Sequence, residues 1–207
     1  MSAGGHKMNV IGGVALAVVL GVGGMIFRSK FKKPKKGMLS YSAMNLTADK
    51  IDADKMIPAV EATAREWRSD AAFWSINLQA VHADGTLDAT SGGAQIEYVS
   101  LSGVTSELKK TRDDSIKKFS FGPSGADHSA IWGATNKWKI TATPSLPHCG
   151  IKNVVKQLVS KGLTGDKTVR VTFDPQFADS LAWHVLGEDP KIDAYFSMED
   201  CSPLAKN

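Results

Sequence analysis

The stretch Asp54–Asp88, DKMIPAVEATAREWRSDAAFWSINLQAVHADGTLD, carries two hydrophobic periods in succession. Met56, Ile57, Val60, Ala64 and Trp67 recur at spacings of three and four, the pattern of one buried helix face, and that helix is expected to end near Arg68. Asp54 stands where a helix cap belongs, and Pro58 falls in the first turns, where a missing amide costs little. The following FWSINLQAVHADGTLDA reads as a strand with a turn at Asp84-Gly85, and AQIEYVSLS as the next strand, with Ile96, Tyr98 and Ser100 on one face.

The order helix, strand, strand then recurs. From Gly150 to Lys161, residues Ile151, Val154, Val155, Leu158 and Val159 make an apolar stripe, and Gly162 sits at the terminating position. TVRVTFD, LAWHVLG and IDAYFSME follow as strands, the first turning Val169, Val171 and Phe173 inward and Arg170 and Thr172 outward. The expected fold class is therefore α+β, built as two helix-plus-antiparallel-strand units: residues 54–148 with irregular loops, and 149–207 with a short tail. Within the first unit, IKKFSF (116–121) and KWKITAT (137–143) read as strands, with the loop GPSGADHSAIWGATN (122–136) between them. The charged GVTSELKKTRDD (103–114) reads as a solvated loop or short exposed helix.

Upstream of this lies VIGGVALAVVLGVGGMIF, 18 uncharged apolar residues from Val10 to Phe27. At about 1.5 Å of rise per residue such a helix just spans a bilayer core. The run is too long, and ends too bulkily at Met25, Ile26 and Phe27, for a cleaved signal peptide, so a single retained transmembrane helix is expected after the 1–9 tail. Gly13, Ala17, Gly21 and Gly24 place small residues on one face of that helix, where backbones in lipid pack closely. Residues 28–53 then read as a basic juxtamembrane segment and a tether.

Charge separates the two parts. Seven of the 25 Lys and Arg residues fall in the first 36 positions, which hold no acid, leaving 18 basic against 21 acidic residues in the remainder, a balance near −3. The basic excess is thus a local cluster, Arg28, Lys30, Lys32, Lys33, Lys35 and Lys36, suited to anionic lipid head groups rather than to nucleic acid. By the positive-inside rule the same cluster places the large domain in the cytoplasm. The only two cysteines, Cys149 and Cys201, pull the other way if they are bonded, since a lone pair is the arithmetic of one disulfide in an oxidising compartment. Spacing alone leaves a disulfide and two buried thiols equally open.

The run DKMIPAVEATAREWRSDAAFWSINLQAVHADGTLD followed by QIEYVS resembles PepSY-type modules and membrane-tethered bacterial domains in which a helix leads into a strand, an acidic-Gly turn and another strand. Cys149 opening a helix, Trp183 in a strand and the terminal Asp200-Cys201 resemble the same domains. The resemblance covers roughly Asp54 to Cys201. It implies a tandem module, a structural Cys149–Cys201 pair, a domain on the periplasmic side of a bacterial inner membrane, and a binding or inhibitory role; it transfers no catalytic residue.

The chemistry-bearing residues point the same way. There is no G-x-S-x-G, no phosphate-cradling G-x-x-x-x-G-K-[ST] and no H-E-x-x-H. His148 beside Cys149, with His184 and Cys201, is the one Cys/His combination of metal-ligand type, and its spacing is not that of a structural zinc site. Asp127, His128 and Ser129 are adjacent in sequence, and adjacent side chains seldom converge on one atom. Of the five tryptophans, Trp67, Trp74, Trp138 and Trp183 read as core or sheet caps and Trp132, in the Gly-rich loop, as the exception. No catalytic residue, metal or cofactor is expected. The expected partners are other membrane protein subunits and anionic lipid, and the alternative is a PepSY-type sensor binding a peptide, ligand or protease.

Overall fold

In a computed structural model the described residues are 37–89, 93–100, 102, 115–131, 146–173 and 181–205. Their strands are β1 (Gly37–Leu39), β2 (Ile51–Asp52), β3 (Ala71–His82), β4 (Thr86–Leu87), β5 (Ala94–Ser100), β6 (Ile116–Gly122), β7 (Gly125–Ile131), β8 (Thr168–Phe173), β9 (Ala182–Gly187), β10 (Ile192–Ser197) and β11 (Pro203–Leu204). The helices are α1 (Ala53–Trp67) and α2 (Ile151–Gln157), the latter running into a 3-10 turn at Val159–Lys161. Nine strands form one antiparallel sheet in the order β1-β7-β6-β5-β3-β8-β9-β10-β11, and β2 and β4 pair separately.

This corrects the expected two-unit architecture. The halves do not each close a sheet, because β3 pairs with β5 along one edge and with β8 along the other, as at Ile76 opposite Ile96 and Phe173. A 12-residue strand with apolar side chains at Phe73, Ile76, Leu78 and Val81 has both edges to satisfy, and the C-terminal strands supply the second. Those apolar positions are spaced three, two and three apart. The register shifts between Phe73 and Ser75 and again between Leu78 and Val81, so each extra residue is taken up by a bulge and the inward set stays inward.

Two further expectations change. Residues 37–52, read as a tether, contribute β1 and β2 and bury Met44 and Leu46. The loop expected at 122–136 contains β7, which lies between β6 and β1. Its first residue, Gly125, has φ of +140° and leaves room for the Leu39 carbonyl, which would lie 2.1 Å from a Cβ at that position. The 10–27 segment and the strand expected at 137–143 lie outside the described residues, among which no helix is long and apolar enough to cross a membrane.

Both helices lie on one face of the sheet. α1 buries Ala53, Met56, Ile57, Val60 and Ala64 over an aromatic row that crosses five strands: Phe173, Phe73, Tyr98, Phe119 and His128, with neighbouring ring centroids 5.6 to 6.3 Å apart. The Tyr98 hydroxyl donates to the Ile57 carbonyl of α1 at 3.0 Å, pinning helix to sheet, and burial pushes that phenol far above its ordinary pKa.

Helix capping is divided between two aspartates. Asp52, not Asp54, caps α1 by accepting from the Asp54 amide. The Asp54 carboxylate instead accepts the amides of Ile151 and Lys152, 97 and 98 residues away, and so caps α2. The residue at the cap position of α2 is Gly150, which has no side chain to offer, and a Cβ there would sit 2.7 Å from Asp54 Oδ2. Burial raises the Asp54 pKa, against the lowering pull of the two amides. Asp54→Ala is therefore expected to cost about 1 to 2 kcal/mol in urea unfolding, whereas Asp54→Asn, which keeps an acceptor and removes the buried charge, is expected to stay within about 0.5 kcal/mol of the parent.

Candidate functional site: the open face of the sheet

The core lies on the helix-covered face, so the face behind it is where side chains are available to a partner. Alternation along the strands sends Lys118, Glu97, Ser75, Asn77, Arg170, Thr172, His184 and Tyr195 to that side. These residues are joined in short links. Ser75 Oγ donates to Glu97 Oε2 at 3.0 Å, and Arg170 Nε donates to Asn77 Oδ1 at 3.0 Å. Toward β6 and β7 the same face is closed, since Trp74, Val99 and Ile116 form a small buried apolar cluster with Ile131 packed against it.

The most organised group sits on the β9–β10 hairpin. His184 and Tyr195 are directly opposite in register, and their rings stack with centroids 4.3 Å apart and planes 4° from parallel. His184 Nε2 shares a hydrogen bond of 3.0 Å with Asp193 Oδ1. A carboxylate holding an imidazole is also how a general base is oriented, but no hydroxyl or thiol of the described residues bonds the His184 ring. As arranged, the group presents a flat aromatic pair beside a carboxylate and an imidazole, with Arg170 one strand away, which suits recognition of a mixed polar and aromatic surface.

Other residues singled out in the sequence are dispersed. Cys149 and Cys201 are bonded to each other, with Cα atoms 5.1 Å apart, so neither thiol is open to a metal, and His184 is engaged with Asp193. Among the described residues no group of three or more His, Cys, Asp or Glu is placed to hold a metal ion. Asp127, His128 and Ser129 lie on a strand rather than a loop, and alternation turns His128 toward the core while its neighbours face the other way. Trp183 is fully buried and Trp67 packs on the core from α1. Gly13, Ala17, Gly21, Gly24, Arg28, Lys30, Lys32, Lys33, Lys35, Lys36, Trp132 and Trp138 lie outside the described residues.

His128 is better read as a core histidine. It faces Phe119 at 5.6 Å, and its Nδ1 is buried without a hydrogen-bond partner among the described residues. Burial first, and then the Lys117 charge, hold its pKa below the ordinary histidine value, with Asp127 opposing. A base whose folded pKa is depressed supports the fold above the unfolded value, and that support is lost as pH falls through about 6.5 toward the folded value. Urea unfolding at pH 7.5 and 5.5 is expected to show this loss, and His128→Phe is expected to remove that part of the pH dependence.

No protein-family model matches the chain, no curated protein matches it, and no solved structure matches its fold.

Proposed function

We propose that this chain is a non-catalytic, single-pass membrane-anchored accessory subunit of a larger membrane assembly. The observation that carries the reading is the uninterrupted apolar run 10–27 with Gly13, Ala17, Gly21 and Gly24 on one helical face. Docking in lipid through that face, with Arg28, Lys30, Lys32, Lys33, Lys35 and Lys36 against anionic head groups, leaves the sheet domain to engage partner subunits. The polar face around His184, Asp193 and Tyr195 supports a second, water-exposed contact. The Cys149–Cys201 bridge supports an oxidising surrounding, and with it the reading of a domain on the periplasmic side of a bacterial inner membrane.

The test is extraction of the full-length protein from its own membrane in mild detergent, followed by size separation and mass spectrometry of what comigrates. Stoichiometric comigration with other membrane proteins, lost in Gly13→Leu and Gly21→Leu together, is the expected result. Migration alone or as a simple homodimer would overturn it in favour of a free-standing sensor that binds a peptide, ligand or protease. Side is tested separately in intact cells. Labelling of Cys149 and Cys201 by an impermeant thiol reagent only after reduction places the domain outside, and no labelling without lysis places it inside.

A further inference from the structure

We infer that the Cys149–Cys201 disulfide is a redox latch that holds the C-terminal strand β11 over the outer edge of β10. The chain is tied into the core as far as Met198, which is 3% exposed, and the Cys149 amide donates to its carbonyl at 2.8 Å. Beyond Met198 none of residues 199–205 is buried. The tail is held by its own turn, where Cys201 N donates to Ser197 O and Ser197 N to Ser202 O, and by the two register pairs Tyr195 with Leu204 and Phe196 with Pro203. Among the described residues two bonds reach from this tail outside the β10–β11 hairpin, Gln157 Nε2 donating to the Cys201 carbonyl at 2.9 Å and the disulfide, and Cys201 packs on the core beside them. A two-residue strand without buried side chains is marginal by itself, so the covalent tie decides whether the β10 edge stays covered.

The two sulfurs differ in access. Cys149 is 2% exposed, whereas Cys201 is partly exposed on the turn, so an incoming thiolate reaches the Cys201 sulfur. A dithiol protein of the C-x-x-C class attacks there, forms a mixed disulfide with Cys201 and expels Cys149 as a thiolate, which takes up a proton. Its second thiolate then attacks its own sulfur of the mixed bond and expels Cys201 as the second thiol. Two electrons and two protons pass to the bridge, and the reductant leaves as a disulfide. The released tail bares the backbone groups of Tyr195, Phe196 and Ser197 at the sheet edge, beside the His184–Tyr195 pair.

Hydrogen exchange of the full-length chain in detergent, with and without dithiothreitol and in Cys149→Ser/Cys201→Ser, tests this. The expected result is that on reduction Ser197, Cys201 and Ser202 lose protection until they lie at least about tenfold below Ile76, Leu78 and Ile96 in β3 and β5, which fall only with the stability of the whole domain, because the tail then opens locally. The double serine variant should match the reduced protein. Unchanged protection in the tail overturns the latch. So does tail protection that stays equal to that of the sheet after reduction, since the tail would then open only when the whole fold does.

Discussion

Replacing Cys149 and Cys201 together by serine is expected to lower the stability of the sheet domain by about 4 kcal/mol, the chain-entropy value for a loop of this size. The bridge closes 52 residues that run from the start of α2 through β8, β9 and β10, so the unfolded chain gains most of the freedom the cross-link denied it. For a domain of this size that corresponds to a fall in melting temperature of roughly 8 to 16 °C. Thermal unfolding followed by circular dichroism checks it, and a fall under about 2 °C would mean that the unfolded chain keeps enough structure to hold the loop nearly closed without the bond.

Trp183→Ala is the second large loss, expected at about 3 to 5 kcal/mol. Trp183 is fully buried on the inner face of β9 opposite Phe196, and its indole N–H donates to the Cys149 carbonyl at 2.9 Å. Truncation leaves a cavity under the start of α2 and takes a donor from a buried carbonyl. Trp183→Phe keeps most of the volume, so its smaller loss, about 1 to 2 kcal/mol, isolates the hydrogen bond. Because the same carbonyl belongs to a bridged cysteine, Trp183→Phe and the double serine change are expected not to add. Urea unfolding of the single, double and triple variants is expected to give a coupling of about 0.5 to 2 kcal/mol.

The elements themselves were legible wherever a period was strong. The spacing of Met56, Ile57, Val60 and Ala64 places α1 within a residue of where it runs, and Val169, Val171 and Phe173 face the core as alternation requires. Pairing was not legible, because the residues that make β3 a shared strand read the same whether its second edge is paired or capped by a loop. β7 was hidden by composition: GADHSAI has a single β-branched residue and follows Gly-Pro-Ser, and it is a strand through the neighbours on either side. The group of His184, Asp193 and Tyr195 was half visible. Folding LAWHVLG onto IDAYFS about the turn at Glu188–Lys191 puts His184 opposite Tyr195, yet Asp193 gains meaning only once that register is known. Asp54 could not be assigned at all from local sequence, since the helix it caps begins 97 residues later.

The place of β3 in the sheet also sets an order for synthesis. Its partner on one side, β5, follows within about 20 residues, but β8 on the other side is translated only after some 70 more, a delay on the order of 4 to 15 s at ribosomal rates. Until then the nascent chain carries a long apolar strand with one edge open. The first four fifths of this protein are thus a natural client for a holding chaperone, and any truncation before Thr168 makes that transient exposure permanent.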